Sequence, residues 1–400
     1  MPRAFLVVLD SVGIGGAPDA DRFFNGDRPD TGANTLDHIA VACAALPRGP
    51  LQVPHLRALG LGRALTLASG QALPGPDGVP TGLWGAATEQ SCGKDTVTGH
   101  WELAGVPLPF AWHVFPRTVP AFPDEVTAWV KEIAGCDGIL GNCHASGTGI
   151  IARLGDAHLR TGWPICYTSQ DSVFQIAAHE GVFGLARLHD LCATLAPRLH
   201  AMRVGRVIAR PFSGDVITGF ARTGNRRDYA HGPPGATLCD WVKAAGGRVL
   251  AIGKISDIFS GQGISDSRKG DDAALMRYLL AAVEAAPDHS LTFANLVEFD
   301  TLYGHRRDVV GYAAALERFD VWLGRMQGCL RAGDMLVITA DHGNDPTWPG
   351  TDHTRERVPV LVAGRGTAEI GPVAFADVAA TVADHLGVPA PGPGRSFLTD

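Results

Sequence analysis

The chain has 400 residues, of which 46% are hydrophobic and 19% charged, a composition typical of a globular protein and not of a disordered one. At this length it can bury a large core and is expected to divide into two domains. Its formal net charge of −7 provides no overall basic field, so nucleic acid is not expected as its main partner.

Cysteine usage and hydropathy predict the compartment. The 8 cysteines are scattered without a Cys-x-x-Cys pair, which indicates reduced thiols and not a zinc ribbon or a disulfide framework. The N-terminal apolar run at residues 5–9 ends at Asp10 and is too short for the core of a signal peptide. No apolar stretch is long enough to cross a membrane. We therefore expect a soluble, cytoplasmic protein without a membrane partner.

The first element is a predicted buried parallel strand at residues 5–9, because this run is apolar without interruption. The glycines in the segment Asp10-Ser-Val-Gly-Ile-Gly-Gly16 do not form a dinucleotide-binding fingerprint, since Pro18 stands where the third glycine is needed. What remains is a carboxylate, Asp10, at the carboxyl end of a strand.

A second polar segment is Ser91-Cys-Gly-Lys-Asp-Thr-Val-Thr-Gly-His-Trp-Glu102. It is not a phosphate-binding P-loop, because Thr88 and Asp95 occupy two positions that the motif reserves for Gly and Ser or Thr, and it does not match the sulfatase pattern. Hydroxyl groups beside Lys94 suit a nucleophile, since neighbouring cations activate a weak alcohol. The alternative is that Thr96 only caps a helix.

The sequence changes character between residues 107 and 230, where a stretch rich in proline and aromatic residues leads into a basic region. Because the whole chain is acidic, this local cluster of arginines indicates an anion site, and the guanidinium fork suits phosphate oxygens. The alternative is an ordinary solvated face. We predict an inserted domain at residues 107–230, within a core formed by residues 1–106 and 231–400.

An alternating α/β pattern resumes after Pro234. Apolar runs predict strands, segments rich in alanine and leucine predict helices, and a Gly- and Pro-rich segment before Ser91 predicts a loop. After Pro234 the strands are predicted at residues 248–252, 291–297, 335–338 and 358–362, and the helices at residues 273–286 and 312–330. The predicted loop lies earlier in the chain, at residues 69–85.

Carboxylates and imidazoles follow several of these strands. Open α/β sheets bind ligands outside the carboxyl ends of their strands, so we expect these side chains to converge. A single Asp–His pair would be an ordinary polar loop, but six nitrogen and oxygen donors suit two metal ions about 3.5–4 Å apart. The absence of thiolate donors favours Mn, Zn or Fe. The six donors are Asp10, Asp300, His305, Asp341, His342 and His353.

Taken together, the motifs resemble those of the prokaryotic phosphopentomutase family in the alkaline phosphatase superfamily, and the resemblance covers nearly the whole chain. Several of the motifs are specific to that family. They are Val8-Leu-Asp-Ser-Val-Gly-Ile-Gly15, Gly93-Lys-Asp-Thr-Val-Thr-Gly-His-Trp101, Ala178-His-Glu180, Ala209-Arg-Pro-Phe212, Gly253-Lys-Ile-Ser-Asp257, Phe299-Asp300, Gly304-His-Arg-Arg-Asp308, Ala340-Asp-His-Gly-Asn-Asp345 and Gly350-Thr-Asp-His-Thr-Arg355.

The resemblance implies a fold and a set of site residues. The fold is α/β, an alkaline-phosphatase-like core with a central, mostly parallel sheet between helices and an inserted smaller α/β cap domain. One metal ion is held by Asp10, Asp341 and His342 with Thr96 bridging, and the other by Asp300, His305 and His353. Thr96 carries phosphate, and the sugar-phosphate site is lined by Asp171, Arg206, Arg222 and Lys254. The segment at residues 212–220 departs from the family pattern, which leaves the role of Arg222 open.

The implied function is an isomerase that interconverts the 1-phosphate and 5-phosphate of ribose or 2-deoxyribose, through a phosphothreonine enzyme and a bisphosphate intermediate. Two divalent metal ions, with Mn²⁺ expected, and an activating sugar bisphosphate of the glucose 1,6-bisphosphate type would be its cofactors. Pentose phosphates of nucleoside salvage would be its partners, with no protein partner implied. The cap domain is expected to close over the sugar, since water would hydrolyse the phosphoenzyme.

Two other functions stay open at this stage. A metal-dependent phosphatase or phosphodiesterase of the same superfamily would share the metal site and differ in admitting water. A protein that binds sugar phosphate or metal without catalysis would need no nucleophile. For the nucleophile itself, Ser91, Thr98 and Ser11 are chemical alternatives to Thr96. We favour Thr96 because Gly93 and Lys94 precede it and a helix start there would direct free amides toward phosphate.

Overall fold

The computed structural model describes residues 2–47, 49–169 and 172–398. The chain forms two compact units: unit 1 comprises Met1–Phe110 and Gly232–Asp400, and unit 2 comprises Ala111–His231. The chain thus divides after Phe110 and after His231, whereas the sequence places the boundaries after residues 106 and 230. That the inserted unit acts as a substrate-binding cap stays a prediction.

The strands alternate with helices along most of unit 1, as the sequence pattern predicts. In chain order the strands are β1 (Arg3–Leu9), β2 (Phe24–Asn25), β3 (Arg28–Pro29), β4 (Leu83–Thr88), β5 (Leu140–His144), β6 (Ile165–Thr168), β7 (Val173–His179), β8 (Arg206–Asp215), β9 (Gly219–Arg222), β10 (Arg227–Ala230), β11 (Arg248–Ile252), β12 (Asp266–Arg268), β13 (Ser290–Leu296), β14 (Asp334–Thr339), β15 (Val358–Ala363) and β16 (Ala368–Ala374).

The helices are mostly short, and within the described residues none is both long and apolar enough to span a bilayer. A π-helical turn at Phe299–Gly304 lies between β13 and α11. The α-helices are α1 (Thr35–Ala44), α2 (Pro54–Ala58), α3 (Leu61–Ser69), α4 (Thr96–Leu103), α5 (Asp124–Ala134), α6 (Gly147–Thr161), α7 (Leu185–Ala201), α8 (Leu238–Ala244), α9 (Ile255–Ile258), α10 (Asp272–Ala285), α11 (Val309–Cys329) and α12 (Phe375–Leu386).

Unit 1 is built on an eight-stranded sheet with the strand order β12-β11-β13-β1-β14-β15-β4-β16. β1 is central and runs parallel to both β13 and β14. Every residue of these three strands is buried, which explains why their sequences are almost unbroken apolar runs. β15 runs antiparallel to β14 and to β4, so the sheet is mostly and not wholly parallel, as predicted.

The predicted strands at residues 5–9, 248–252, 291–297, 335–338 and 358–362 are confirmed to within one or two residues at each end. The predicted loop at residues 69–85 is wrong at its end, because β4 begins at Leu83. Its middle residues, Gly85, Ala86 and Ala87, have low strand propensity. Gly85 is needed there, since a Cβ atom would lie 2.4 Å from the carbonyl oxygen of Gly371 on β16.

Unit 2 is a smaller α/β unit. Its sheet has the order β10-β8-β7-β6-β5, and β9 pairs with β8. One apolar core joins this sheet to α5 and α7, with Phe174 and Leu195 at 0% exposure. A second core on α6 includes Ile150, Tyr167 and Phe212. The predicted α/β class of the inserted segment is therefore confirmed.

A buried ion pair fixes the amino-terminal ends of β1 and β14. The Arg3 guanidinium donates from Nε to Asp334 Oδ1 at 2.9 Å and from Nη2 to Asp334 Oδ2 at 2.5 Å. Both side chains are almost fully buried, and the two residues are also register partners in the sheet. The pair therefore reinforces the alignment of the two central strands.

We predict that Arg3→Met lowers the free energy of unfolding by about 3–5 kcal/mol, because it leaves the Asp334 carboxylate buried without its counter-charge. Guanidinium-induced unfolding measures the change. Arg268→Met is the matched control, since Arg268 forms a similar pair with Asp266 at the exposed surface. That control should leave stability close to the wild-type value. Equal effects of the two substitutions would contradict a special role for the buried pair.

Candidate metal centre and active site

All six predicted donors lie in unit 1, at one edge of its sheet. Asp10 follows β1 directly, Asp300 lies in the π-helical turn after β13, and Asp341 and His342 follow β14. Because β1, β13 and β14 are adjacent and parallel, their carboxyl ends meet at the same edge. His353 lies in the segment that leads into β15.

One group of donors consists of Asp300, His305 and His353, whose donor atoms all lie within 4.8 Å of one another. Nε2 of His305 lies 3.1 Å from Asp300 Oδ2, and Nε2 of His353 lies 3.4 Å from Asp300 Oδ1. The two Nε2 atoms are 3.2 Å apart. The structure therefore brings together the three residues that the resemblance assigns to one ion.

A second group consists of Asp10, Asp300 and His342, also within 4.8 Å. Nε2 of His342 lies 3.5 Å from Asp10 Oδ1 and 3.3 Å from Asp341 Oδ2. The resemblance assigns Asp341 and not Asp300 to this ion. In the structure Asp341 adjoins the group through His342, while Asp300 belongs to both groups.

The chemistry of these donors fits metal ions. Nδ1 of His305, of His342 and of His353 each donates to a backbone carbonyl, at 2.6, 3.1 and 2.9 Å. Each ring therefore carries its proton on Nδ1 and turns Nε2 into the cluster, the tautomer that metal-bound histidines adopt. Asp10 Oδ1 is buried without a hydrogen-bond partner among the described residues, and Asp341 Oδ2, also buried, has His100 Nδ1 at 3.0 Å and His342 Nε2 at 3.3 Å as its neighbouring nitrogens. A buried carboxylate oxygen without a hydrogen-bond donor, such as Asp10 Oδ1, favours binding of a cation.

Crowding of charges perturbs the titration of these groups. Burial, together with the carboxylates of Asp341 and Asp300, raises the pKa of Asp10 well above its usual value. Burial opposes protonation of His353, but the Asp300 carboxylate prevails and raises the pKa of His353 to about 10. Burial lowers the pKa of His342 to about 4. The carboxylates therefore attract positive charge, and a proton on His353 competes with a metal ion.

Polar residues around the cluster fix one oxygen of each carboxylate. Asn295 Nδ2 donates to Asp10 Oδ2 at 3.0 Å, and Asn344 Nδ2 donates to Asp300 Oδ1 at 2.7 Å. The backbone N–H of Ser11, a residue with φ of 70°, donates to Asp341 Oδ1 at 3.1 Å. Our sequence reasoning missed these roles. Asn344 and Ser11 lie within the quoted motifs, but Asn295 was marked only by its polarity inside an apolar strand.

Arg307 organises the two loops that carry His305 and His353, and it was also missed. Its guanidinium donates to the Asn344 side chain at 2.5 Å and to the carbonyl oxygens of Gly350 and Asp352 at 2.8 and 3.0 Å. The only signal in the sequence was its place in the motif that begins at Gly304. Its guanidinium links the loop after β13 to the loop before β15.

The hydroxyl of Thr96 lies at this cluster. Thr96 is the first residue of α4, and the helix is capped by Asp95, whose Oδ1 accepts from the N–H groups of Val97 and Thr98. The alternative that Thr96 only caps the helix is therefore wrong. Its Oγ1 lies 3.2 Å from His342 Nε2, within reach of the donors of the second group.

The expectation that Lys94 and free amides meet a phosphoryl group is not supported here. Lys94 Nζ donates to the carbonyl of Phe24 at 3.0 Å and to Asp30 Oδ2 at 3.1 Å. The amides of Val97 and Thr98 are occupied by Asp95. The physical reason is that the helix start is satisfied by its own N-cap carboxylate, and that Lys94 neutralises a buried aspartate.

The predicted substrate residues are spread over both units. Lys254 follows β11 at the same sheet edge, and its charge acts on the Asp10 carboxylate. Arg206 begins β8, and Arg222 ends β9 opposite Phe212 of β8. These two arginines are separated by six strand residues, about 20 Å, so the structure does not bring them together. Asp171 lies outside the described residues.

Arg222 instead belongs to a basic cluster at the start of α6. A Cβ atom at Gly147, the first residue of this helix, would lie 2.7 Å from the Tyr167 hydroxyl and 3.7 Å from Arg222 Nη1. The Tyr167 hydroxyl is buried and has no hydrogen-bond partner within the described part of the chain. Burial and the charges of Arg226 and Arg222 lower the pKa of Arg210. An anion suits this combination of arginines, hydroxyl and helix start.

Comparison with known proteins agrees with this geometry. A family model described as the Metalloenzyme superfamily matches residues 2–390. A phosphopentomutase from Chelativorans sp. is 56% identical over 410 residues, covering 100% of this chain and 98% of that protein. A phosphopentomutase from Methylobacterium sp. is 54% identical over 413 residues and covers 100% of both. The chain belongs to the phosphopentomutase family.

The family assignment agrees with the fold predicted from the sequence, an alkaline-phosphatase-like α/β core with a smaller inserted unit. It also agrees with a phosphomutase that uses divalent metal ions, since the two donor groups are present. Among solved structures, a phosphoglycerate mutase from Leishmania mexicana aligns with 99% of this chain and 97% of its own, with a TM-score of 0.48 and 11% identity.

The contact between α4 and the loop after β14 depends on Gly99. A Cβ atom there would lie 2.2 Å from the carbonyl oxygen of Asp341, so any side chain would separate the helix from the donors. We predict that Gly99→Ala lowers the free energy of unfolding by about 1–3 kcal/mol and weakens metal binding. Calorimetric titration with Mn²⁺ and thermal unfolding measure both effects.

The matched control for this substitution is Gly328→Ala. Gly328 lies in α11, and a Cβ atom added there would meet nothing within 4 Å. Its stability should be unchanged or higher, because alanine favours the helix over glycine. Normal metal binding by the Gly99→Ala protein would show that the close contact is dispensable.

Proposed function

We propose that this member of the phosphopentomutase family interconverts the 1-phosphate and 5-phosphate of ribose or 2-deoxyribose, and that Thr96 carries the transferred phosphate. The observation on which this proposal depends is the position of the Thr96 hydroxyl. Asp95 and not Thr96 caps the helix, and the Thr96 hydroxyl lies 3.2 Å from His342 Nε2, a donor of the second group. A nucleophile for phosphoryl transfer needs nearby positive charge, which metal ions held by these donors would supply.

The other hydroxyls considered as nucleophiles are occupied elsewhere. Ser91 Oγ donates to Glu102, Thr98 Oγ1 donates to Asp95 Oδ2 at 2.6 Å, and Ser11 Oγ pairs with the Tyr312 hydroxyl at 2.9 Å. All three side chains are buried. A phosphoryl group on any of them would have to break these bonds, which favours Thr96.

Asp10, Asp341 and His342 would hold one divalent ion and Asp300, His305 and His353 the other, with Mn²⁺ the expected metal. The bound ions would lower the pKa of the Thr96 hydroxyl and offset the charge of the phosphoryl oxygens. The protein fixes the donors through the histidine tautomers and through Asn295, Asn344 and Ser11. This arrangement keeps reorganisation small when charge develops.

The proposed reaction begins with phosphate on Thr96, supplied by a sugar bisphosphate such as glucose 1,6-bisphosphate. The O1 hydroxyl of ribose 5-phosphate attacks this phosphorus, a new P–O1 bond forms and the bond to Thr96 Oγ1 breaks, which gives ribose 1,5-bisphosphate. Thr96 then attacks the 5-phosphate, and O5 leaves and takes up the proton released from O1. The product is ribose 1-phosphate, and Thr96 is again phosphorylated.

Recognition of the phosphosugar is assigned to Lys254, Arg206, Arg222 and Asp171. The basic cluster at the start of α6 supports an anion-binding role for unit 2, because Arg210, Arg222 and Arg226 face one buried hydroxyl. Arginine forks bind phosphate oxygens in pairs. Arg206 lies on the same face of β8 as Arg210, four residues earlier.

A phosphatase or phosphodiesterase reaction is the rival function, since the metal donors alone do not exclude water. Incubation of the Mn²⁺-loaded protein with ribose 1-phosphate and a trace of glucose 1,6-bisphosphate separates the possibilities. We expect ribose 5-phosphate. Free phosphate as the main product would indicate a hydrolase. The absence of any product would indicate a binding protein without catalysis.

We predict that Thr96→Val folds, binds metal, and neither becomes phosphorylated nor interconverts the sugar phosphates, because valine keeps the shape and removes the oxygen. Mass spectrometry of peptides after incubation with glucose 1,6-bisphosphate locates the phosphate. Thr98→Val is the matched control, one helical half-turn away, and should still be phosphorylated on Thr96. Phosphate on Ser91 or Thr98, or activity in the Thr96→Val protein, would overturn this assignment.

We predict that Asp341→Asn loses at least one equivalent of bound metal and most of its activity, because a neutral amide is a poor ligand for a hard cation. Metal analysis after gel filtration measures the stoichiometry. Asp377→Asn is the control, since Asp377 belongs to neither donor group and instead caps α12. Two full equivalents and near-normal turnover in Asp341→Asn would remove Asp341 from the site.

We predict that Arg206→Ala and Lys254→Ala bind metal normally and use phosphosugars poorly. Loss of one charge-assisted contact costs about 1.5–3 kcal/mol, so kcat/KM should fall about 10- to 100-fold. Arg198→Ala is the control within unit 2, because Arg198 pairs with Glu132 at the surface. Wild-type kinetics in both variants would show that these side chains belong to a solvated face.

A further inference from the structure

A fourth histidine lies behind the metal donors, and no role has been assigned to it. His100 is in α4, one helical turn after Thr96, and its side chain is fully buried against the ring of Phe293, with centroids 6.0 Å apart. Nδ1 of His100 lies 2.8 Å from the carbonyl oxygen of Thr96 and 3.0 Å from Asp341 Oδ2. One nitrogen therefore contacts both the phosphate-carrying residue and a metal donor.

The proton of this ring must be on Nδ1, because both neighbours of that nitrogen are oxygens that accept. The hydrogen bond to the Thr96 carbonyl has the better geometry, and Asp341 Oδ2 lies beside it. Asp341 Oδ1 is held by the N–H of Ser11, whereas the nearest nitrogen to Oδ2 is that of His100. His100 is thus the residue of α4 whose N–H group faces Asp341 Oδ2.

We propose that His100 is a positioning residue, whose single Nδ1–H keeps the Asp341 carboxylate and the backbone of Thr96 in a fixed relation. The proposal deepens the proposed function and rests on it for the role of Thr96. His100 touches neither the phosphosugar nor the reacting atoms. It acts through Asp341, as the outer partners of metal ligands do when they fix the orientation of a donor.

The position of α4 makes this link necessary. Residues 96–103 and residue 341 are far apart in sequence, and Gly99 allows their backbones to approach each other. Close approach alone does not fix the rotation of a carboxylate about its Cβ–Cγ bond. The Nδ1–H group supplies a direction, and the buried ring stacked on Phe293 holds that direction because it has no room to turn.

The simpler alternative is that His100 only fills space beside Phe293. Its Nε2 atom is buried and has no hydrogen-bond partner among the described residues, so half of its polar capacity is unused. Two substitutions distinguish the effect of the N–H donor from the effect of side-chain shape. Asparagine and leucine have the same branching, but only asparagine carries an N–H group where Nδ1 of histidine lies.

The experiment compares His100→Asn with His100→Leu by calorimetric titration of the metal-free proteins with Mn²⁺. We expect His100→Leu to weaken one of the two binding events about 10- to 100-fold, and His100→Asn to remain within a few-fold of wild type. We also expect the kcat of His100→Leu to fall with little change in the KM for ribose 1-phosphate, because substrate contacts are untouched.

Two outcomes would overturn the proposal: wild-type metal affinity in His100→Leu, or equal losses in the leucine and asparagine variants. If His100→Leu does not fold, His100→Gln replaces it, since glutamine moves its amide one bond beyond the Nδ1 position and should lose affinity as leucine does. The metal titration is independent of the sugar. If the wild type hydrolyses ribose 1-phosphate without isomerising it, the proposed function fails, while recovery of metal affinity by asparagine would still support His100.

Discussion

Repulsion among three carboxylates at one edge of the sheet is the constraint on which the rest of unit 1 depends. Asp10, Asp300 and Asp341 are almost fully buried, and each is held by the end of a central strand. Like charges so placed cannot all stay ionised without a counter-charge, and burial together with the charges of Asp341 and Asp300 raises the pKa of Asp10. The fold therefore concentrates negative charge at this edge of the sheet. Protonated imidazoles offset part of that charge, and divalent ions would offset more of it.

Hydrogen bonds from neighbouring residues orient the donor side chains around this charge. Backbone carbonyls accept the Nδ1–H of three histidines, so the three Nε2 atoms face the carboxylates. Arg307 joins the loops that carry two of those rings. Such hydrogen bonds restrict rotation before any ligand arrives, which is what a phosphoryl-transfer site requires, since most of its catalysis is positioning.

The central strands, and the position of the six proposed donors at one edge of the sheet, could be predicted because they follow local rules. Uninterrupted apolar runs are buried parallel strands, and polar residues after them fall at one edge. The short strand β4 could not be predicted, because its small residues gain strand geometry only from pairing with β15 and β16. The same holds for Asn295, whose partner Asp10 is distant in sequence. Lys94 was misjudged since nothing local reveals Asp30 beside it.

Asp300 gives the two cation sites a common member. Its oxygens contribute to both donor groups, so the charge and geometry that one ion meets depend on whether the other is present. Thermodynamic linkage makes this dependence reciprocal: the factor by which the first ion changes the affinity for the second is the factor by which the second changes the affinity for the first. If both donor groups bind ions as proposed, the centre would be one coupled binding system, and the occupancy of neither site would follow an independent dissociation constant.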